Sequence, residues 1–556
     1  MANILLITPL NIPFKDMMSM PKGATDIQIK RKLDPKYPVG LLNIGAYVEK
    51  YAPGSKVWIL DYNTEAPRYL EACKEMYLDP YLNGLLDWVL NKIPVIPDII
   101  GISALFESNY CDMGAIIEFM RWMYPDSIIV AGGHLASARY EDFLNNFPQL
   151  NAVCYGEGEN PILQLVKAMD GGPATAWDVV GEEPWWITKD KIHQRNFRPS
   201  NWMIDNLDEI PRYDLTMLRY PDDYLNTNDD LFALGTDRRG EKDIYMFATR
   251  GCPYHCIFCA SQFVHGHKVR SYSTERIKQD IVAYNRDYRM TSFPFLDDHF
   301  LADKKKALDI LEFIYRNGLT SRIFNLNYIH VDREIIQALK RTGSDRILIT
   351  LDGLNEKFLR KVVKKPADFK KAKEVIQICR EEGIVVISNI IIGYPGETLE
   401  SIDFEADALW DMGANWYSIL TAAPFHGSEL YDICQKNGYL AADKDITAID
   451  YHHTAIHTSD WGPAEIQKMA YQLNLRINFV GNWDMRHGEF DIPLTMFMRV
   501  LEIEPNHAFA WYFGAICAEA MALTLTYHKF KSQYRRVMEQ CPEWKEWAEW
   551  FNLKEI

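Results

Sequence analysis

Three cysteines, Cys252, Cys256 and Cys259, lie in the segment ATRGCPYHCIFCA, residues 248–260. The chain has ten cysteines, and the other seven (Cys73, Cys111, Cys154, Cys379, Cys434, Cys517 and Cys541) are scattered through apolar or helical patterns. Isolated cysteines of that kind are ordinary core residues. A trio within eight residues is different, and in a cytosolic protein it points to metal ligation rather than disulfides. The spacing C-x3-C-x2-C offers thiolates to three irons of a four-iron cluster and leaves the fourth iron without a protein ligand. An open coordination position separates a catalytic metal centre from a closed structural one. A structural zinc site would need a fourth ligand; His255 lies inside the motif, where ligation would strain the loop, and zinc ribbons use two paired motifs.

The trio directly follows an apolar run, Ile244–Thr249, that opens a series of strand and helix patterns. The later strand candidates are Ser292–Leu296, Arg322–Tyr328, Arg346–Leu351, Ile384–Ile392 and Asn415–Thr421. Helical stretches such as Thr274–Tyr288, Lys304–Asn317, Asp332–Arg341 and Ala367–Glu382 separate them. Six βα units over residues 241–450 predict a full or partial (β/α)6 barrel, whose active site lies at the carboxyl ends of its strands. An earlier series over residues 1–165, with runs at Ile4–Thr8, Val57–Leu60, Ile99–Ser103, Ile128–Ala131 and Ala152–Tyr155, predicts a doubly wound parallel α/β domain. Its strand ends carry Pro9, Ser103, Gly132-Gly133-His134 and Gly156-Glu157-Gly158-Glu159, where such sheets bind ligands. Residues 166–240, rich in Pro, Trp and Asp, read as a linker with a small hairpin. Residues 451–556 read as a helical domain; Trp511, Tyr512 and Phe513 either belong to its core or cap a substrate cavity.

With strand, cysteine trio and following motifs in this order, residues 1 to about 435 resemble the cobalamin-dependent radical S-adenosylmethionine (SAM) enzymes. The resemblance rests on the cysteine motif, on Leu296-Asp297-Asp298-His299-Phe300, Ile349–Gly353 (ITLDG) and Ile392–Thr398 (IGYPGET). In the N-terminal domain it rests on Pro38–Leu42, Asp98–Ser103, Ala131–His134 and Tyr155–Glu159. It implies a [4Fe-4S] cluster on the three cysteines, with SAM chelated to the open iron and cleaved to a 5′-deoxyadenosyl radical. It places Phe258 against the adenine, and Asp298, Asp352, Ser388, Asn389 and Gly393 around SAM. The usual Gly-Gly-Glu is replaced by Asp297-Asp298-His299. Taken alone, the GYPGET run also reads as a tight turn capping the next helix with Glu397 or Thr398.

For the N-terminal domain the resemblance implies cobalamin, with Pro9, Ser103, Leu105, Phe106, Gly132, Gly133, His134, Gly156, Glu157 and Gly158 as candidate contacts. No Asp-x-His-x-x-Gly occurs in residues 1–160, so no lower axial histidine on cobalt is expected, and Leu105-Phe106-Glu107 would shape the lower face. Absence of a G-x-G-x-x-G after the first strand speaks against a dinucleotide. The implied reaction is methylation of an unactivated carbon through methylcobalamin, or radical oxidation, cyclisation or rearrangement without methyl transfer. The implied partners are a small-molecule or peptide substrate and a flavodoxin- or ferredoxin-type reductant. Asn327, Tyr328, His330 and His426 end barrel strands and are candidate substrate contacts.

Composition narrows the rest. The 556 residues exceed what one core supports. The net charge of −16 argues against a general nucleic-acid binder. No apolar run is long enough to span a membrane. MANILLITPL lacks the features of a signal peptide and reads as a buried first strand, so a cytoplasmic location is expected.

Overall fold

The computed structural model describes residues 2–18, 35–193, 202–225, 241–324, 326–440 and 454–556. The first strand, β1 (Asn3–Thr8), is apolar and buried over the four successive residues Ile4 to Ile7, as expected of a strand covered on both faces. It pairs in parallel with β2 (Lys56–Asp61) on one side and β3 (Ile99–Ser103) on the other, Ile4 facing both Val57 and Ile99. β4 (Ile128–Gly132) and β5 (Ala152–Cys154) continue the parallel sheet, and β6 (Trp186–Ile187) adds an antiparallel edge. The strand order is 2-1-3-4-5-6. Alternate residues of β1 serve two cores: Ile4 and Leu6 pack with Leu42 and Val48 of the helix Val39–Tyr51. Leu5 and Ile7 pack with Met113 and Ile116 of the helix Tyr110–Met123. The order reverses between β1 and β3, and that switch point is where doubly wound sheets open a ligand crevice.

Among the described residues the segment read as a linker holds no hairpin. It forms a 3-10 turn at Ala168–Gly171 and the helix Pro173–Val180, then β6, then 3-10 turns at Leu207–Glu209, Leu215–Met217 and Pro221–Tyr224. Gly171-Gly172-Pro173 looks like loop punctuation, but Gly172 (φ +88°) precedes a helix that Pro173 starts, a position where its missing N–H costs nothing. Residues 194–201 and 226–240 of that stretch lie outside the described residues.

The second unit begins with β7 (Thr249–Arg250), which pairs antiparallel with β8 (Arg270–Ser271) across the cysteine loop. β9 (Ser292–Phe295), β10 (Thr320–Ile323), β11 (Arg346–Thr350), β12 (Val385–Ile392) and β13 (Trp416–Thr421) follow. β9 pairs in parallel with β10, and β12 pairs in parallel with both β11 and β13. Bridges Asp243–Ser292, Met246–Phe295 and Leu326–Ile349 join the remaining neighbours, giving six parallel staves in sequence order. Among the described residues no ladder closes the first stave on β13, so the barrel is partial.

Two expected strands differ. Ile244–Thr249 pairs with β9 only through separate bridges. Ile244 N–H donates to the Ser292 carbonyl and Met246 N–H to the Pro294 carbonyl, but Pro294 has no N–H to return. β10 starts at Thr320, and the expected end of that strand is a 3-10 turn, Tyr328–His330.

The C-terminal helices Pro463–Asn474, Asp491–Ile503, Ala508–Ala520, Thr524–Gln540 and Glu543–Trp550 enclose Phe479, Phe497, Phe509, Phe513 and Trp544. Tyr512 and Phe513 are buried in that core, and Trp511 packs on Phe530. Trp416, at the start of β13, packs on Phe479 and Phe497. Buried Asp484 pairs with Arg380 (2.8 Å) and Asn415 (2.9 Å). The helices from Asp491 onward therefore meet the barrel at the amino end of its last strand, whereas the leading helix Pro463–Asn474 reaches the carboxyl end, where Ile466 packs on Gly393 and Trp461 donates to the Glu397 carbonyl (2.8 Å). No helix among the described residues is long and apolar enough to cross a membrane.

Candidate active site

The cysteine loop leaves the first stave at Gly251, whose φ is +89°. A Cβ there would lie 2.5 Å from the Lys268 carbonyl oxygen, so only glycine fits. Asp298, at the end of β9, holds both arms of the loop: Oδ2 accepts from Gly251 N–H (3.2 Å) and Oδ1 from the Ser261 hydroxyl (2.6 Å). Ile257 N–H donates to the Val363 carbonyl (3.0 Å), and its own carbonyl accepts from Leu430 N–H (2.8 Å). Elements after β7, β9, β11 and β13 thus fix one short loop.

The three thiols are partly buried. Burial pushes Cys256 up to about 12 and Cys259 to about 11, while the Lys365 ammonium pulls each the other way. Lys365 is itself buried and paired with Asp352, Nζ to Oδ2 2.8 Å. Burial opposes its charge, but Asp352 and Cys256 hold its pKa above the ordinary lysine value. Asp352 occupies the left-handed region (φ +59°), a conformation that costs a non-glycine residue energy. Among the described residues no three His, Cys, Asp or Glu side chains converge on one metal ion. His255 is exposed and lies against His267, ring centroids 3.9 Å apart, instead of completing a zinc site. A four-iron cluster takes each sulfur on a different iron and needs no such convergence. A coordinated thiol is deprotonated, and Lys365 offers a countercharge, so this donor set fits the cluster.

The other residues expected around SAM divide into two groups. Phe258 is half-buried, its ring 6.3 Å from that of Tyr394. Thr350, Asn389 and Ser418 are aligned across β11, β12 and β13, and the Lys365 ammonium lies 3.4 Å from the Thr350 hydroxyl. Asn389 is therefore on the face that carries Lys365. Ser388, one residue earlier, is on the opposite face, buried and donating to the Ile349 carbonyl (3.1 Å). Gly393 (φ +84°) is spent on a turn: its N–H and that of Tyr394 each donate to Glu397 Oε2 at 2.8 Å. Thr398 caps the helix Leu399–Glu405. The turn-and-cap form of the GYPGET run is thus what the chain builds.

One arrangement escaped the sequence reading. Tyr254 of the cysteine motif hydrogen-bonds His330 (hydroxyl to Nε2, 2.5 Å), and His299 lies against His330 with ring centroids 4.8 Å apart. Burial, then His330, lower the His299 pKa to about 4, so it is neutral at pH 7. Neighbouring Asp297 is fully buried, accepts from Ala248 N–H and from the N–H and hydroxyl of Thr249, and is pushed up to about 7 by burial. Asn327 and Tyr328 hold local structure, accepting from Ile329 N–H and Asp368 N–H.

At the switch point of the first sheet, Leu105 and Phe106 are 46% and 54% exposed although apolar. Asn109 Oδ1 accepts both their N–H groups at 2.9 Å and fixes the turn. Pro9 is buried beside them in the fold, its carbonyl accepting from Asn63 (2.9 Å), and Ser103 ends β3 half-buried. Gly132 ends β4, and Gly133 (φ +92°) passes so close to Ala104 that a Cβ would meet its carbonyl oxygen at 2.7 Å. Exposed apolar side chains beside Cβ-free backbone suit a large, flat, largely apolar ligand such as a corrin.

Three expected corrin contacts turn instead toward the barrel. His134 Nε2 bonds the His426 carbonyl (3.1 Å), and its Nδ1 is buried without a hydrogen-bond partner among the described residues. Glu107 Oε1 accepts from His426 N–H (3.1 Å) and pairs with its Nδ1 (2.8 Å). Glu157 is clasped by Arg270 (2.5 and 2.9 Å) and His265 (2.8 Å), with Arg250 3.4 Å away, while Glu159 pairs with Arg250 at 2.8 Å. Burial alone would raise Glu157, but these cations hold it well below the ordinary carboxylate range. Gly156 (φ +83°) donates to Ser137, and Gly158 packs against Ile44. Phe263, just past the cysteines, packs on His134 and Tyr155. The carboxyl-end loops of the two α/β units thus meet each other.

Comparison with known proteins agrees with this architecture. The family model for the Radical SAM superfamily matches residues 246–409, and that for the B12 binding domain matches residues 34–166. Cytidylyl-2-hydroxyethylphosphonate methyltransferase of Streptomyces wedmorensis is 25% identical over 475 residues, covering 80% of this chain and 86% of its own. The anaerobic magnesium-protoporphyrin IX monomethyl ester cyclase of Rubrivivax gelatinosus is 25% identical over 364 residues, 63% of this chain and 61% of its own. The radical SAM methyltransferase TsrM from Kitasatospora setae, solved with cobalamin and a [4Fe-4S] cluster, shares the fold at a TM-score of 0.57 and 15% identity, covering 97% of this chain and 100% of that one. With a B12 binding domain ahead of a cysteine-bearing radical SAM barrel in one chain, the protein belongs to the cobalamin-dependent radical SAM enzymes.

Proposed function

We propose that the protein transfers a methyl group to an unactivated carbon of a small molecule held between its corrin domain and its barrel. The observation that carries this reading is the opposition of the two carboxyl-end faces. The cysteine loop lies on one side, the exposed Leu105-Phe106 pair on the other, and Phe263 and His426 bridge them. Methyltransferases among the relatives and shared folds support it. Held by the three cysteines, a cluster with SAM would supply a radical able to take a hydrogen atom from the substrate, and a corrin at Gly132-Gly133 would supply a methyl group.

The chain's own groups then have distinct tasks. Cys252, Cys256 and Cys259 hold the cluster, and Lys365 balances their charge. Asp298 keeps the loop in place, while Phe258, Asp352 and Asn389 surround SAM. Leu105, Phe106, Gly132 and Gly133 would receive the corrin and keep water from the reacting carbon. Tyr254, His299 and His330 offer hydrogen bonds to a polar substrate group. Electrons come from a flavodoxin- or ferredoxin-type donor, and the enzyme works in the cytoplasm, where unpaired cysteines stay reduced.

Anaerobic incubation of the reconstituted enzyme with SAM carrying a CD3 group and candidate metabolites tests the reading. Label in the product supports methyl transfer. Deoxyadenosine without label transfer would favour the oxidative or cyclising chemistry named for the cyclase relative.

A further inference from the structure

The Gly156-Glu157-Gly158-Glu159 loop does something that neither family model assigns. It ends β5, the last parallel strand of the corrin domain, yet both its carboxylates are buried against the other domain. All the partners of Glu157 come from the stretch that frames the cysteines. Arg250 immediately precedes Gly251-Cys252, His265 ends the short helix after Cys259, and Arg270 begins the returning strand β8. Arg270 makes a two-pronged contact with Glu157 and also donates to the Ile204 carbonyl (2.8 Å). Arg250 reaches both Glu159 and Glu157.

Next to this network the backbone has little freedom. Gly251 is wedged against the carbonyls of Lys268, His265 and Gly266, so a shift of Arg250 carries Cys252 with it. On the other side Gly156 N–H is tied to Ser137, on the helix that Gly133 starts. A ligand settling on Gly132-Gly133 therefore presses on one end of a chain of buried contacts whose other end is the first cysteine. Buried ion networks are poor sources of net stability, and their best attested use is to fix one arrangement.

We propose that Glu157 is a positioning residue that couples corrin binding in the first domain to the geometry of the cysteine loop in the second. The inference rests on the corrin assignment made above. By linkage the coupling is reciprocal, so a filled cysteine loop strengthens corrin binding by the factor that bound corrin strengthens cluster binding.

The test uses the full chain in two forms, cluster-reconstituted and iron-free, each titrated anaerobically with hydroxocobalamin and followed by tryptophan fluorescence. The wild type should bind cobalamin about fivefold or more tightly when the cluster is present. In Glu157→Gln that ratio should fall toward one, while Glu157→Asp retains part of it. His265→Ala removes one contact without leaving a buried charge, so it remains informative if Glu157→Gln does not fold; its ratio should also fall. Lys278→Ala, which breaks the exposed pair with Asp309, should leave the ratio unchanged. The electron paramagnetic resonance signal of the reduced cluster should shift on adding cobalamin in the wild type and not in the Glu157 variants. A wild-type ratio of one, or a ratio preserved in His265→Ala and Glu157→Gln, overturns the proposal. Failure of the wild type to bind cobalamin in either form overturns the corrin assignment itself.

Discussion

Lys365 Nζ lies 2.8 Å from Asp352 Oδ2, and both side chains are closed off from solvent beside the cysteine loop. A buried lysine of this kind is retained only if its charge has partners. Asp352 is one, and Cys256 is the next in influence. Removing the ammonium leaves Asp352 buried and uncompensated. Lys365→Met should lower folding stability by about 3–5 kcal/mol, read by denaturant unfolding. Iron and sulfide content after reconstitution should fall with it, and Lys365→Arg should restore much of the iron.

Replacing one cluster cysteine should separate binding from the rest of the fold. Cys256→Ala is expected to abolish deoxyadenosine formation from SAM and to leave a cooperative unfolding transition. Cys434→Ala, in the helix after β13, should form deoxyadenosine at the wild-type rate. Chromatography of the nucleoside product reads both.

The exposed pair at the switch point predicts a different signature. Phe106→Asp removes no buried contact, so its stability should stay within about 0.5 kcal/mol of wild type. Full burial of a Phe side chain contributes about 1.5–3 kcal/mol, so cobalamin affinity should fall tenfold or more if a corrin covers it. Equilibrium dialysis with cobalamin distinguishes the two effects.

Glu397 gives a pH prediction. Burial raises its pKa from 4.5 to about 8 despite its hydrogen bonds to Tyr394 and Gly393. The folded state then holds a proton that the unfolded state has lost between pH 4.5 and 8. Folded protein binds more protons in that window, so its contribution is full below the window and is lost as pH rises through it. Thermal unfolding at pH 6 and pH 9 should show a drop in the wild type that Glu397→Gln largely removes.

What could be read from the sequence follows from how local each signal is. Cluster ligation needs thiolates at fixed short spacing, so Cys252, Cys256 and Cys259 were legible from eight residues. Parallel strands buried on both faces print as nearly continuous apolar runs, so β1, β3 and β4 were legible too. The partners of Glu157 were not: Arg270 is 113 positions away, and His426 is 319 from Glu107. Glu157 therefore read as a ligand contact when its charge belongs to the other domain. Ser388 and Asn389 looked equivalent, and only the strand's alternation separates them. In the first barrel stave, Pro294 on the neighbouring strand silenced half of a ladder that the stave's own residues predict.

Because the bundle of the last four helices, from Asp491 onward, grips the barrel through Phe497 on Trp416, it stands at the floor of the molecule while the chemistry occupies the roof. Exchanging that bundle for a relative's should alter how well the chain survives heating without altering which molecule it modifies. Endurance and selectivity can thus drift independently in this protein, each written at its own end of the same barrel.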